Sequence, residues 1–89
     1  MLEIVNFDKN HPGWLNNNRI NEAYVNSMIN YARETLFARD SMRMSELLDI
    51  FGGELYPGDS DYVVNVDRGV RYSYQLMDDD TWIKILIYY

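Results

Sequence analysis

Few side chains in this sequence are of types that do chemistry, and their spacing argues against most of it. His11 is the only histidine, in the loop tripeptide His11-Pro12-Gly13, and there is no cysteine. That removes thiol nucleophiles, disulfides and thiolate zinc sites. A lone imidazole before a proline reads as a solvated loop residue or a local cap. Without a second His, a metal site would rest on carboxylates, which suit hard cations. Asp59-Ser60-Asp61 begins the alternation of a calcium loop, but Val64 stands where its glycine belongs and Val70 where its bidentate glutamate belongs. Asp78-Asp79-Asp80 reads as a solvated turn between strands. No serine has a nucleophile-elbow context, and Gly13, Gly52, Gly53, Gly58 and Gly69 form neither a phosphate loop nor a dinucleotide fingerprint. Glu54 and Asp61 are not marked by spacing as a hydrolytic pair. No catalytic, cofactor-binding or metal-ligating residue is assigned, and the expectation is a protein that is not an enzyme and has no cofactor.

Charge is more informative. Residues 1–44 carry five acids and five bases, whereas residues 45–89 carry nine acids against Arg68, Arg71 and Lys84, so the whole net charge of -6 lies in the second half. Such a field repels phosphate backbones and favours basic partners, so direct nucleic-acid binding is not expected. Aromatic residues make up 15% of the chain, and eight of these rings are tyrosines, which suit half-buried positions and interfaces. A hydrophobic fraction of 47% is enough for one packed core, and the length suits a single domain over residues 1–89. No basic stretch leads into a long apolar run and no apolar segment reaches eighteen residues. Secretion and membrane spanning are therefore disfavoured, and a cytoplasmic location is expected.

These residues must be positioned by an α+β fold, with one long and one short helix packed on a small antiparallel sheet of three or four strands. Residues 1–18 read as a strand, anchored by Leu2, Ile4 and Phe7, followed by a loop from which Trp14 plugs the core. Residues 19–53 are helical. Asn18 caps a helix with Glu22 in its first turn, whose stripe comprises Ile20, Tyr24, Val25, Met28, Ile29, Tyr31, Ala32 and Leu36, with Asn21 on the polar side. An extended piece at Met42-Arg43-Met44 precedes a short helix capped by Ser45 and ended by Gly52-Gly53. Met42 and Met44 suit either the core or an adaptable contact surface. Residues 54–89 read as a meander: a strand Tyr62–Val66, a hairpin at Asp67-Arg68-Gly69, a strand Val70–Leu76, and a final strand Trp82–Tyr89. That last strand carries Ile83, Ile85 and Ile87 on one face and Trp82, Lys84, Leu86 and Tyr88 on the other. Two apolar faces require burial on both sides, or a partner on one.

The segment Met42-Arg43-Met44-Ser45-Glu46-Leu47-Leu48-Asp49-Ile50-Phe51-Gly52, with the strands after it, resembles small uncharacterised proteins of phages and prophages of Gram-positive bacteria. The resemblance spans residues 19–89. It implies a small accessory protein, of a kind used to block host or defence machinery, and brings no catalytic residues.

The residues expected to bind a partner are Asp59, Asp61, Asp78, Asp79, Asp80, Trp82, Leu86 and Tyr88. Carboxylates among aromatic rings can meet a basic, nucleic-acid-binding groove, since Lys and Arg accept carboxylates much as they accept phosphates. The leading expectation is a non-catalytic inhibitor of a host or defence protein, with an anti-CRISPR-type nucleic-acid mimic as its sharpest form. The alternative is an assembly protein that homodimerises through its C-terminal strand.

Overall fold

The final strand, apolar on both faces, occupies the middle of the main sheet. The computed structural model describes all 89 residues, Met1–Tyr89. Its elements run β1 (Leu2–Phe7), α1 (Asn18–Arg39), β2 (Ser41–Arg43), α2 (Met44–Ile50), β3 (Val63–Asn65), a 3-10 turn (Val66–Arg68), β4 (Arg71–Met77) and β5 (Trp82–Tyr88). A three-stranded antiparallel sheet has the order β1-β5-β4, and β2 pairs with β3 in a separate two-stranded sheet. The fold is α+β, with one long and one short helix on antiparallel sheets. No helix is long and apolar enough to cross a membrane.

The expected meander is corrected. Val66–Arg68 winds into a 3-10 turn ended by Gly69 at φ 71°, which carries the chain from one sheet to the other instead of closing a hairpin. Burial explains the change. Val64 lies opposite Met42 in the β2–β3 ladder, and both side chains are buried in the core. Met42 and Met44 are therefore interior residues, not a contact surface.

In β1 the anchors are Val5 and Phe7, while Leu2 and Ile4 point away from the core, the reverse of the expectation for Leu2 and Ile4. Alternation alone leaves this parity ambiguous, because both faces of β1 carry two apolar residues. Pairing decides it. Ile4 lies opposite Leu86 and Val5 opposite Ile85, and directly opposed residues share a face.

Helix α1 begins one residue earlier than expected. The Asn17 side chain, not that of Asn18, accepts from the Ile20 N–H at 3.1 Å, and Glu22 then falls beyond the first turn. The buried stripe is Asn21, Val25, Met28, Ile29, Ala32 and Leu36, whereas Ile20, Tyr24 and Tyr31 are exposed. Asn21 is fully buried because its amide pairs with the backbone of Leu15 in the preceding loop, accepting from the Leu15 N–H (2.9 Å) and donating to the Leu15 carbonyl (2.6 Å). Helix α1 covers the inner face of the main sheet. The Arg33 guanidinium sits 5.6 Å from the Tyr72 ring centre, and Asn26 donates to the Tyr74 hydroxyl at 3.3 Å.

Arg43, not Ser45, holds the N-cap position of α2. At the other end Gly52, at φ 78°, and Gly53 donate back to the carbonyls of Asp49 (3.1 Å) and Leu48 (2.9 Å), a Schellman ending. The His11 ring lies against Gly52, where an added Cβ would stand 2.6 Å from Nε2. Trp14 packs on Phe7, ring centres 5.4 Å apart, within the cluster that includes His11 and Tyr24. Trp14 therefore belongs to the inner face and does not reach the other side of the sheet.

Candidate functional site

The register of the main sheet places Leu2, Ile4 and Asn6 from β1, Trp82, Lys84, Leu86 and Tyr88 from β5, and Arg71, Ser73, Gln75 and Met77 from β4 on its outward face. On that face Leu2, Ile4, Asn6, Arg71, Ser73 and Gln75 are exposed. Leu2 and Ile4 are each 46% exposed, while Leu86, in the middle strand, is only 7% exposed because its neighbours on β1 and β4 shield it. Leu86 thus forms the floor of an apolar strip whose walls are Ile4 and Tyr88. Arg71 lies 5.8 Å from the Tyr88 ring centre, a cation held against the aromatic edge of the strip.

The Asp78–Asp80 loop borders the Trp82 end. All three aspartates have positive φ (47°, 54° and 65°), and the Thr81 N–H donates to the Met77 carbonyl at 3.1 Å, closing the turn. Asp is among the few L-residues that enter the left-handed region readily, because its short polar side chain bonds locally. Here the Asp78 carboxylate accepts from the Trp82 indole N–H at 2.9 Å, which fixes the ring at the edge of the open face. Asp79 and Asp80 remain exposed. A shallow hollow beside Trp82 is lined by Asn6, Asp8, Lys9, Asn10 and Thr81.

The eight residues expected to bind a partner therefore divide. Asp78, Asp79, Asp80, Trp82, Leu86 and Tyr88 share the open face and its border. Asp59 and Asp61 lie elsewhere. Asp59 is near Tyr89, beyond the opposite end of β5, and the Tyr89 ring is 6.4 Å from that of Tyr62; Asp61 is at the start of α2. Burial and then the nearby Glu3 carboxylate push the Tyr89 phenol up from its usual value, with Asp59 contributing.

Asp61 has a structural task. Its carboxylate accepts from the Ser45 N–H at 2.9 Å and the Ser45 hydroxyl at 2.7 Å, and Arg43 approaches to 3.9 Å. These Ser45 donors hold Asp61 below the usual carboxylate range, with Arg43 adding to the effect. Asp61 thus satisfies, from a distant loop, the first-turn N–H of Ser45 in α2, beside the local contact that Glu46 makes to the Arg43 N–H. Glu46 is committed in a similar way. It accepts from Arg39 at 2.7 Å and from the Arg43 N–H at 3.2 Å, and the Arg39 contact most strongly lowers its pKa.

The two hydrolytic candidates are kept apart. Glu54 lines a groove beside the free edge of β1, whereas Asp61 is held at the start of α2. His11 is held by the fold, its Nδ1 accepting from the Gly13 N–H at 3.0 Å. No three carboxylates or imidazoles converge closely enough to hold a metal ion.

Sequence reasoning left out Leu2 and Ile4, which flank Leu86 on the open face. The available signal was the double-sided apolar pattern of the last strand, which requires apolar neighbours on both faces of the strand it pairs with. A second apolar area lies on α1, where Tyr24, Ser27, Met28, Tyr31 and Ile50 line a shallow hollow. Comparison with family models, curated proteins and solved structures finds no match to this chain.

Proposed function

We propose that this chain is a non-catalytic protein-interaction module that docks its partner on the open face of the β1-β5-β4 sheet. One observation carries this reading: Leu2, Ile4, Leu86 and Tyr88 lie side by side on the outward sheet face, with Leu2 and Ile4 exposed and Trp82 beyond the Asn6–Lys84–Gln75 row. A solvated sheet face normally alternates to polar residues, and an apolar strip edged by polar groups is the surface pattern of a docking site. The Asp78–Asp80 loop and Arg71 form its charged border.

The narrower reading is a phage- or mobile-element-encoded inhibitor that meets a basic or nucleic-acid-binding host protein in the cytoplasm as a nucleic-acid mimic. The Asp78–Asp80 loop supports it. The face itself gives it less support, because its eleven strand residues include Lys84 and Arg71 and no acid.

Ile4→Glu tests the docking face at a position exposed enough for the fold to tolerate the change, and Tyr31→Glu, on α1, is the control. Both variants should keep wild-type circular dichroism. Binding, whether self-association or capture of a host protein, should be lost in Ile4→Glu and kept in Tyr31→Glu. The opposite pattern would refute the assignment.

A further inference from the structure

The open face is polarised along β5, and from this we infer that its partner is a second copy of the same chain, packed face to face with its β5 antiparallel to the first. This rests on the docking face proposed above and names its occupant. Three observations converge. At the Trp82 end lie Asp79 and Asp80, both exposed; Asp8 and Lys9 share the hollow beside Trp82 and offset each other, so the negative end rests on the two aspartates. At the Tyr88 end Arg71 lies against the Tyr88 ring, and Arg68 shares the shallow hollow around Tyr88. Asp67 precedes Arg68 on the 3-10 turn, so the positive end rests chiefly on Arg71, which the register fixes on the open face. Between the ends lie the row of Ile4 and Leu86 and, next to Trp82, the polar row Asn6–Lys84–Gln75.

A two-fold axis perpendicular to the strands superposes the negative end of each copy on the positive end of the other, twice. A two-fold axis parallel to the strands would place Asp79 and Asp80 against their own counterparts, and like charges so placed disfavour that arrangement. Charge therefore selects the antiparallel packing. It brings each Trp82 towards the other copy's Tyr88 and Arg71, an aromatic and cation–π pairing. Lys84 lies over the other copy's Leu86, its aliphatic stem covering the leucine while its ammonium reaches the edge beside Asn6 and Gln75.

Size sets the strength. Three strands about 4.8 Å apart and about seven residues long present roughly 330 Å² per copy, so two copies with their border loops bury roughly 700–1,000 Å² in total. That lies at the weak end of specific interfaces. The dimer is expected to form at sub-millimolar protein and about 0.1 M salt. That salt screens the repulsion between two copies of net charge -6, while contacts at the ends, closer than the Debye length of about 10 Å, persist.

Sedimentation of the full chain with charge-swapped variants tests this. Arg68→Glu/Arg71→Glu makes both ends negative, and Asp79→Lys/Asp80→Lys makes both positive; Asp78 is retained because it holds Trp82. Each variant alone should weaken self-association about tenfold or more, and an equimolar mixture of the two should recover it as a heterodimer, because every contact again joins opposite charges. Asp79→Asn/Asp80→Asn, which suits the left-handed backbone, should weaken the dimer without creating a partner for the positive variant. Recovery in the mixture with neither variant dimerising alone is the expected result. A mixture that stays monomeric overturns the inference, as does a wild-type chain that remains monomeric at sub-millimolar concentration in about 0.1 M salt. If wild type is monomeric but Ile4→Glu still abolishes capture of another protein, the docking face stands and its occupant is foreign. A wild-type dimer unaffected by Ile4→Glu would sink both.

Discussion

Replacing Asn21 with Ala tests how the N-terminal loop is fastened to α1. The wild-type amide is fully buried and makes two hydrogen bonds to the Leu15 backbone, one from its N–H at 2.9 Å and one to its carbonyl at 2.6 Å. Each is worth about 0.5–1.5 kcal/mol net, and Ala returns about 0.5 kcal/mol through its better helix propensity. The expected loss is about 0.5–2.5 kcal/mol, or a fall in Tm of roughly 2–20 °C for a domain of this size. Urea unfolding followed by circular dichroism measures it. Asn21→Asp separates the two bonds. The carboxylate still accepts from the Leu15 N–H but faces the Leu15 carbonyl, where only a protonated acid can donate. Burial beside a carbonyl raises the folded-state pKa of the new acid above its unfolded value. The native state then holds its proton after the unfolded state has lost it, so stability should fall as pH rises from about 4 to 7. A loss below about 0.5 kcal/mol for Asn21→Ala, or a pH profile of Asn21→Asp parallel to wild type, would refute the reasoning.

Three further perturbations have defined outcomes. Gly52→Ala introduces a Cβ 2.6 Å from His11 Nε2 at a residue with φ 78°, so it should cost about 1–3 kcal/mol in urea unfolding, and His11→Ala in that background should recover part of the loss. Asp61 has a lowered folded pKa, so its stabilisation of α2 is present above the ordinary carboxylate range near pH 4 and is lost as pH falls through the folded value. An acid titration followed by circular dichroism should accordingly be flatter in Asp61→Asn than in wild type. The Tyr72 hydroxyl is buried without a hydrogen-bond partner, and burial raises its pKa. Tyr72→Phe should therefore be neutral or stabilising by up to about 1 kcal/mol, and a clear loss of stability would show that the hydroxyl has a partner.

Much of this architecture was legible in local patterns. The long helix, the glycine ending of α2, the alternation of Tyr72 and Tyr74 and the two apolar faces of β5 all follow from spacing and turn chemistry. What the sequence hid depends on long-range pairing. Nothing near Val64 shows that its partner is Met42 and not a residue across the 67–69 turn. Nothing local decides between the Leu2–Ile4 and Val5–Phe7 sides of β1; the pairing with β5 does. Asn21 looks like a surface residue because its burial depends on a loop six positions earlier. The candidate site was half legible. Trp82, Leu86 and Tyr88 share one strand face by period two alone, and Asp78–Asp80 adjoins them in sequence. Asp59 and Asp61 appeared to belong with them only because charge was counted along the chain. The fold sends Asp61 to the start of α2, where it accepts from Ser45.

The open sheet face as docking surface is tested most directly by photo-crosslinking from a benzophenone amino acid placed at position 4, on that face, and separately at position 31 on α1. Both positions are exposed, at 46% and 60%, so reactivity reports proximity to a partner rather than access to solvent. Covalent adducts, with a second copy or with another protein, should form from position 4 and not from position 31. Adducts from position 31 alone, or equally from both, would contradict docking on the β1-β5-β4 face.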